Sequence, residues 1–394
     1  MKPFRAFGVR LGFSALSERF EREVTDLSTF TQRLTGSLHV DAVIIAPPIS
    51  YYTPLAGPLP GHLIKGTLPK DPVARYLLRL PKVWNGRLVV SGAPGLNCES
   101  GYDLYWSDFL LSAGYAFACT DKGIRAVPDG DTVFVPLGSE NGIAHWYPRL
   151  KALAELALEE CKARYGKLPE KTYAVGVSNG GYLARLAVER DPGLFDGAVD
   201  VSGVLWRAEG SNLLEQLPAA LRALDARPPK REALRALGYP ADVEWDAVLQ
   251  FYRFMYWEAS LTLALGDLDP SYEGPLEAYD LSRRPAEVRG RIRAVECTGD
   301  LQRPLLSLSG GRDFLIPFGP HAEGYRALVE ARGRAALHRL HRVADATHVD
   351  KDREAFPAAE PLMPHAHEAF RRLVRWVEEG VVPPAAEAAV PSRS

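Results

Sequence analysis

The sequence predicts an α/β fold, with a mostly parallel, doubly wound sheet and a helical insertion. Three observations predict it. Short apolar, β-rich runs alternate with helical patterns over the second and last parts of the chain, the signature of βαβ units. That rhythm stops between Trp206 and Leu305, where the patterns are helical and strand signal is scarce. An apolar run also ends at Gly176-x-Ser178-x-Gly180 and is followed at once by a strongly helical stretch.

The elements follow in order. "HVDAVIIAPP" (39–48) and "GHLIKGTLP" (61–69) read as early strands. "RYLLRLP" (75–81) and "RLVVSGAPG" (87–95) flank the turn signal Trp84-Asn85-Gly86. Further strands are expected in "YAFACTDKG" (115–123), "TYAVGVSNG" (172–180), "GAVDVSGVLW" (197–206), "LLSLSGGRD" (305–313) and "LHRLHRVADATH" (337–348). From position 87 these runs are mostly apolar, as strands covered on both faces must be. "PRLKALAELALEECKARYG" (148–166) repeats Leu and Ala at three- and four-residue steps and closes on Gly166. "EGYRALVEARG" and "HEAFRRLVRWVEEG" behave alike. The helical interval holds "SNLLEQLPAALRALDARPP", "KREALRALGYP" and "WDAVLQFYRFMYWEASLTLALG". An insertion of this size between two strands reads as a lid. The expected division is therefore a core in two parts, 1–206 and 305–394, around a lid at 207–304. The proline- and alanine-rich tail "VVPPAAEAAVPSRS" reads as loose.

The bulk properties narrow the class. The chain has 394 residues, a formal charge of −2, 46% hydrophobic and 24% charged residues, an ordinary globular composition. Near-neutral charge gives no argument for nucleic acid or a membrane surface, and neither is expected as partner. The start, "MKPFRAFGVRLGFSALSERFEREV", lacks a continuous apolar core and reads as neither signal peptide nor anchor. No apolar run is long enough to span a bilayer. Cys98, Cys119, Cys161 and Cys297 are scattered without CxxC spacing, which fits buried, reduced thiols in a cytoplasm. Asparagine occurs only at 85, 97, 141, 179 and 212; a thermophilic source and a biased genome explain that scarcity equally well.

The glycine-flanked serine is the chemical signal. G-x-S-x-G between a buried strand and a helix is a nucleophile elbow. Its turn sets Ser178 at the C-terminal edge of the sheet, and the glycines keep strand and helix free to approach. Asn179 supplies a backbone N–H toward a developing oxyanion, aided by the helix N-terminus. A serine hydroxyl needs a base, and the expected chain order is Ser, acid, His. Asp313 follows the first strong strand after the lid; Asp200 and Asp345 are weaker candidates. His348 lies just past the last strand, where a base belongs. His338 and His341 lie within the strand pattern. His365 and His367 are two apart and share no helix face for a metal. The second oxyanion donor is expected after "RLVVSGAPG". Pro94 has no N–H, so Ala93 is the first candidate and Gly95 the next. The aromatic run "WDAVLQFYRFMYWEAS" serves either as lid core or as a wall over the serine, with Phe254 and Trp257 its candidate substrate-binding residues.

With these residues in place, the chain resembles the α/β-hydrolases, and within them the tannase and feruloyl esterase family. The stretches that carry the likeness are "LPKVWNGRLVVSGAPG", "LLSAGYAFACTDKG", the long segment "ALAELALEECKARYGKLPEKTYAVGVSNGGYLARLAVERDPGLFDGAVDVSG" and "LMPHAHEAFRRLVRWVEEGVVPP". They cover the core and not the lid. The resemblance implies an α/β-hydrolase fold and cofactor-free cleavage of carboxylic esters, often aromatic, with Ser178, Asp313 and His348 as triad; some members carry a calcium site in the lid, but the lid sequence here has no such acidic cluster, so no metal is expected. Family members commonly join cysteines directly before the Ser and the His in a disulfide; here Val177 and Thr347 stand at those positions. Lactonase, peptidase or acyltransferase action on the same triad is the alternative. A non-catalytic binding protein of the same fold is a third reading, against which the complete set of Ser, acid and His argues.

Overall fold

The computed structural model describes residues 4–5, 19–29, 55, 57–100, 103–124, 127–129, 132–134, 141–210, 212–354 and 356–384. The strand expected at 39–48 lies outside the described residues. The chain divides into two compact units: Met1–Pro136 with His145–Ala198, and Leu137–Ala144 with Val199–Ser394.

The first unit is built on strands β1 (Arg19–Val24), β2 (Gly61–Leu68), β3 (Asp71–Pro81), β4 (Arg87–Gly92), β5 (Ala116–Thr120) and β6 (Lys171–Val177). Their order is β6-β4-β5-β3-β2-β1. β4 runs parallel to both β5 and β6. β5 is buried throughout, and β4 and β6 are buried at every position but their first. Continuous apolar strands of this kind suit a sheet covered on both faces. The N-terminal side is antiparallel instead. β2 and β3 form a hairpin whose tight turn sets Lys70 in the left-handed region (φ 65°). β1 has no counterpart in the sequence reading. Its "RFEREV" is charged and mostly exposed, as an edge strand that discourages further pairing should be. Arg19 and Glu21 of this strand pair with Glu160 and Arg164 of helix α1 (Ile143–Tyr165). A smaller sheet joins Phe4–Arg5, Val127–Asp129 and Thr132–Phe134. Helix α2 (Asn179–Arg190) is buried from Gly180 through Val188.

The second unit carries most of β7 (Gly197–Val201), with β8 (Leu305–Gly310) and β9 (His338–Val343), in the order β9-β8-β7. β8 is wholly buried and pairs in parallel with β9. Between β7 and β8 the described residues hold helices and no strand. These are α3 (Leu213–Asp225), α4 (Arg231–Ala236), α5 (Asp246–Tyr252), α6 (Glu258–Leu268) and α7 (Ala286–Val295). One π-helical turn, Arg253–Trp257, links α5 to α6. The Asn212 side chain caps α3 by accepting the Leu214 N–H at 2.8 Å. Helices α8 (Gly324–Ala331) and α9 (Met363–Glu379) complete the unit. The Asp350 carboxylate accepts the N–H groups of Leu362 and Met363 and so caps the start of α9. No described helix is long and apolar enough to cross a membrane. All four cysteines are buried and none forms a disulfide.

Candidate active site

The nucleophile candidate stands where β6 ends. Val177 is the last strand residue, Asn179 the first of α2, and Ser178 between them has φ 58° and ψ −116°. An L-residue held in that region is strained by about 1–3 kcal/mol, which the packing around it must sustain. Gly176 makes the approach of strand and helix possible. A Cβ there would lie 2.1 Å from the carbonyl carbon of Gly180, inside any real contact. The Ser178 carbonyl accepts the Tyr182 N–H at 3.0 Å, the first turn of α2. Asn179 is half-buried at the helix N-terminus, so its N–H is one of those that the helix itself leaves without an acceptor. The Ser178 side chain is thus aimed by backbone geometry.

The base candidate and its acid meet in the second unit. His348 Nδ1 lies 2.7 Å from Asp313 Oδ2, with both residues buried. The other oxygen, Oδ1, accepts the N–H groups of Leu315 at 2.8 Å and Ile316 at 2.7 Å. A carboxylate that already accepts two amides makes Nδ1 the donor, which leaves Nε2 of a neutral ring as its acceptor. Burial lowers the pKa of His348, but the charge and hydrogen bond of Asp313, with the charge of Asp352, outweigh it. The net shift is upward from 6.5. Of the rival acids, Asp345 is half-exposed and pairs with Arg312 at 2.9 Å, and Asp200 is buried at the end of β7. Other histidines are engaged elsewhere. His338 Nε2 is 3.0 Å from Ser307 Oγ, His365 Nε2 is 2.7 Å from Glu360, and His321 Nδ1 accepts the Leu205 N–H.

Two expectations need correction. The Ala93 N–H is not turned toward an oxyanion. It donates to the Thr120 carbonyl at 2.8 Å, extending the β4–β5 ladder by one residue. The candidate donors in this loop move to Gly95, which has φ 45°, and the residue after it. Phe254 and Trp257 do not share an environment either. Phe254 is 63% exposed, whereas Trp257 is fully enclosed. The Trp257 indole N–H donates to the Phe314 carbonyl at 2.7 Å, and its ring lies 4.9 Å from that of Tyr239. Tyr252 and Trp245 also face the Phe314 ring, at 5.5 Å and 5.6 Å. Trp257 is therefore a packing residue, because a buried indole needs an acceptor and Phe314 supplies it. These aromatics grip the residue next to Asp313. Trp257→Ala should lower unfolding free energy by about 3–5 kcal/mol, and Phe254→Ala by no more than about 0.5 kcal/mol. Urea denaturation of the two variants checks the difference.

Among the buried charges that the sequence reading missed, one lies beside the loop after β4. Lys122, in the turn after β5, is fully buried with φ 61°. Its Nζ donates to the Ala93 carbonyl and, at 3.4 Å, to that of Gly95. A lysine two residues past an apolar strand, followed by Gly123, was its sequence signal.

Residues 61–206 match the family described as tannase and feruloyl esterase. Feruloyl esterase B from Aspergillus oryzae superposes with a TM-score of 0.56 at 14% identity, over 96% of this chain and 92% of that one. Tannin acyl hydrolase from Aspergillus niger does so with a TM-score of 0.53 at 14% identity, over 93% and 83%. The chain has an α/β-hydrolase fold, and over residues 61–206 it resembles the tannase and feruloyl esterase family. An uncharacterised esterase of Agrobacterium fabrum is 29% identical over 143 residues, which is 34% of this chain and 25% of that protein. An uncharacterised esterase of Xanthomonas campestris is 37% identical over 100 residues, 25% of this chain and 17% of its own length. The matched region thus spans a quarter or less of those relatives. Val177 and Thr347 stand where the resemblance to that family would place paired cysteines. The turn around His348 is held here by side-chain and backbone hydrogen bonds, among them Thr347 Oγ1 to the Val349 carbonyl at 3.2 Å.

Proposed function

We propose that the chain is a serine hydrolase of small carboxylic esters, working through an acyl-enzyme. The observation that carries the reading is Ser178 in a strained left-handed turn between a buried strand and a helix N-terminus. In the proposed reaction His348 Nε2 takes the Ser178 proton as Oγ attacks the ester carbonyl. The tetrahedral oxyanion is held by the Asn179 N–H and a second donor from the loop after β4. Collapse expels the alcohol, which takes the proton from His348. Water, deprotonated in turn by His348, then frees the acid and restores Ser178. Asp313 orients the ring throughout and stabilises the imidazolium. No cofactor or metal enters any of these steps.

The helical stretch 207–304 is the proposed lid, with exposed Phe254 as its substrate-facing aromatic. The aromatic content of this stretch and the likeness to a feruloyl esterase and a tannin acyl hydrolase support an aryl or medium-chain ester. Four cysteines outside disulfides support a reducing cytoplasm.

The test is turnover of p-nitrophenyl esters of graded chain length beside methyl gallate, methyl ferulate, a lactone and an anilide. Clear preference for one or more esters is the expected outcome. Faster cleavage of the anilide or the lactone than of every ester would move the assignment to a peptidase or lactonase on the same residues.

A further inference from the structure

The loop that must supply the second oxyanion donor rests on a buried cation. Lys122 exposes none of its surface. Its backbone is fixed from both sides: its N–H donates to Thr120 Oγ1 at 3.1 Å, and its carbonyl accepts from Arg149 at 2.8 Å. The left-handed φ of 61° turns its side chain back under the end of β4. There the ammonium meets the carbonyls of Ala93 and Gly95, and it lies 5.5 Å from the Trp146 ring centroid. Its neighbour Asp121 has one carboxylate oxygen taken by the N–H groups of Arg75 and Gly123. The cation is thus directed at backbone carbonyls of one short loop, an expensive arrangement for a group with no structural need of charge.

Peptide planarity says what that contact does. In a trans peptide the C=O and the N–H point in opposite directions. Holding the Gly95 carbonyl toward Lys122 turns the Leu96 N–H away from it. The Pro94 carbonyl accepts the Asn97 N–H at 3.0 Å, which turns the Gly95 N–H away from Asn97 in the same manner. A Cβ placed on Gly95 would meet nothing within 4 Å, so the loop faces open space there. We propose that Lys122 is a positioning residue for the oxyanion hole: its ammonium clamps the Ala93 and Gly95 carbonyls and thereby presents the Leu96 N–H to the substrate, beside the Gly95 N–H that the Pro94–Asn97 hydrogen bond orients. The proposal rests on the serine-hydrolase reading above.

The clamp should titrate. Burial pushes the Lys122 pKa down to about 8, against the raising charges of Asp121 and Cys119. Arg149 and Arg75 are the other charged groups at this turn. Below about 8 the ammonium carries its charge; above it the contacts lose charge assistance and weaken.

Three results are expected. Wild-type kcat for a p-nitrophenyl ester falls on the alkaline side with an apparent pKa near 8. Lys122→Met lowers kcat about tenfold with KM within about twofold, since a misaimed donor weakens only the transition state, and it abolishes the alkaline limb. Asp121→Asn, which keeps the acceptor oxygen but removes a charge, shifts the limb to lower pH. A flat alkaline profile in the wild type overturns the proposal even where Lys122→Met fails to fold. So does a folded Lys122→Met variant with wild-type kcat. A wild-type protein without ester turnover would instead remove the serine-hydrolase reading itself.

Discussion

Ser178→Ala should abolish ester turnover, lowering kcat by about 10⁶-fold, the order found when the nucleophile of a serine protease is removed. The size follows from the chemistry. Without Oγ there is no acyl-enzyme, and what remains is water attack aided by the oxyanion donors and by binding, about 10³–10⁴ above solution. The substitution is also structurally gentle. The left-handed conformation at 178 is imposed by the close approach of Gly176 to Gly180, and alanine carries the same Cβ that serine does. Thermal unfolding of the variant should therefore match that of the wild type. An activated serine reacts with a fluorophosphonate, whereas an ordinary one does not. The wild type should carry a single adduct on Ser178 by mass spectrometry, and the variant none. An adduct on a different serine, or wild-type turnover by the folded alanine variant, ends the assignment.

The strand–turn–helix at Ser178 was legible because its signal is local. Gly176, Ser178 and Gly180 lie within five positions, and the apolar run before them and the helical run after them each announce themselves. The pairing of His348 with Asp313 is not local, since 35 positions separate them. It was inferred from chain order and the ends of two strands, and the coordinates place the two side chains in contact. What escaped the sequence was decided by tertiary surroundings. The edge strand Arg19–Val24 looks like a charged loop until Glu160 and Arg164 are brought beside it. Ala93 looked available because nothing in "SGAPG" reveals that its N–H continues the ladder to Thr120. Lys122 drew no reading of its own, since one residue gives no sign that its ammonium will be folded under the neighbouring loop. In the aromatic run of α5 and α6, period alone could not tell Trp257, sealed against Phe314, from Phe254 three positions earlier and facing out. In each case the missing information is a partner distant in sequence.

Asp313→Asn carries the second large effect. Asparagine has nearly the same shape, and its carbonyl can still accept the Leu315 and Ile316 N–H groups that orient the carboxylate. Its amide then faces Nδ1 as a donor, so the ring is driven to the tautomer with the proton on Nε2. That nitrogen can no longer take a proton from Ser178, and the imidazolium has lost its counter-charge. By analogy with a serine protease triad, kcat should fall by up to about 10⁴-fold. The pH profile distinguishes this loss from simple misfolding. In the wild type the active form has neutral His348, so the rate rises with pH through that residue's pKa. With its pKa raised, the midpoint should lie above 6.5. Removing the Asp313 charge leaves burial, which lowers the pKa, opposed only by Asp352, so the midpoint of the residual activity should move down. Asp345→Asn is the control: its side chain is 55% exposed and pairs only with Arg312 among the ion pairs described for it, and its kcat should stay within about twofold of the wild type, as surface substitutions do. Asp200→Asn, measured per folded protein, should keep the wild-type midpoint. If Asp313→Asn retained wild-type kcat while Asp200→Asn lost it, the acid would belong to the end of β7, and the contact between His348 and Asp313 would be structural rather than catalytic.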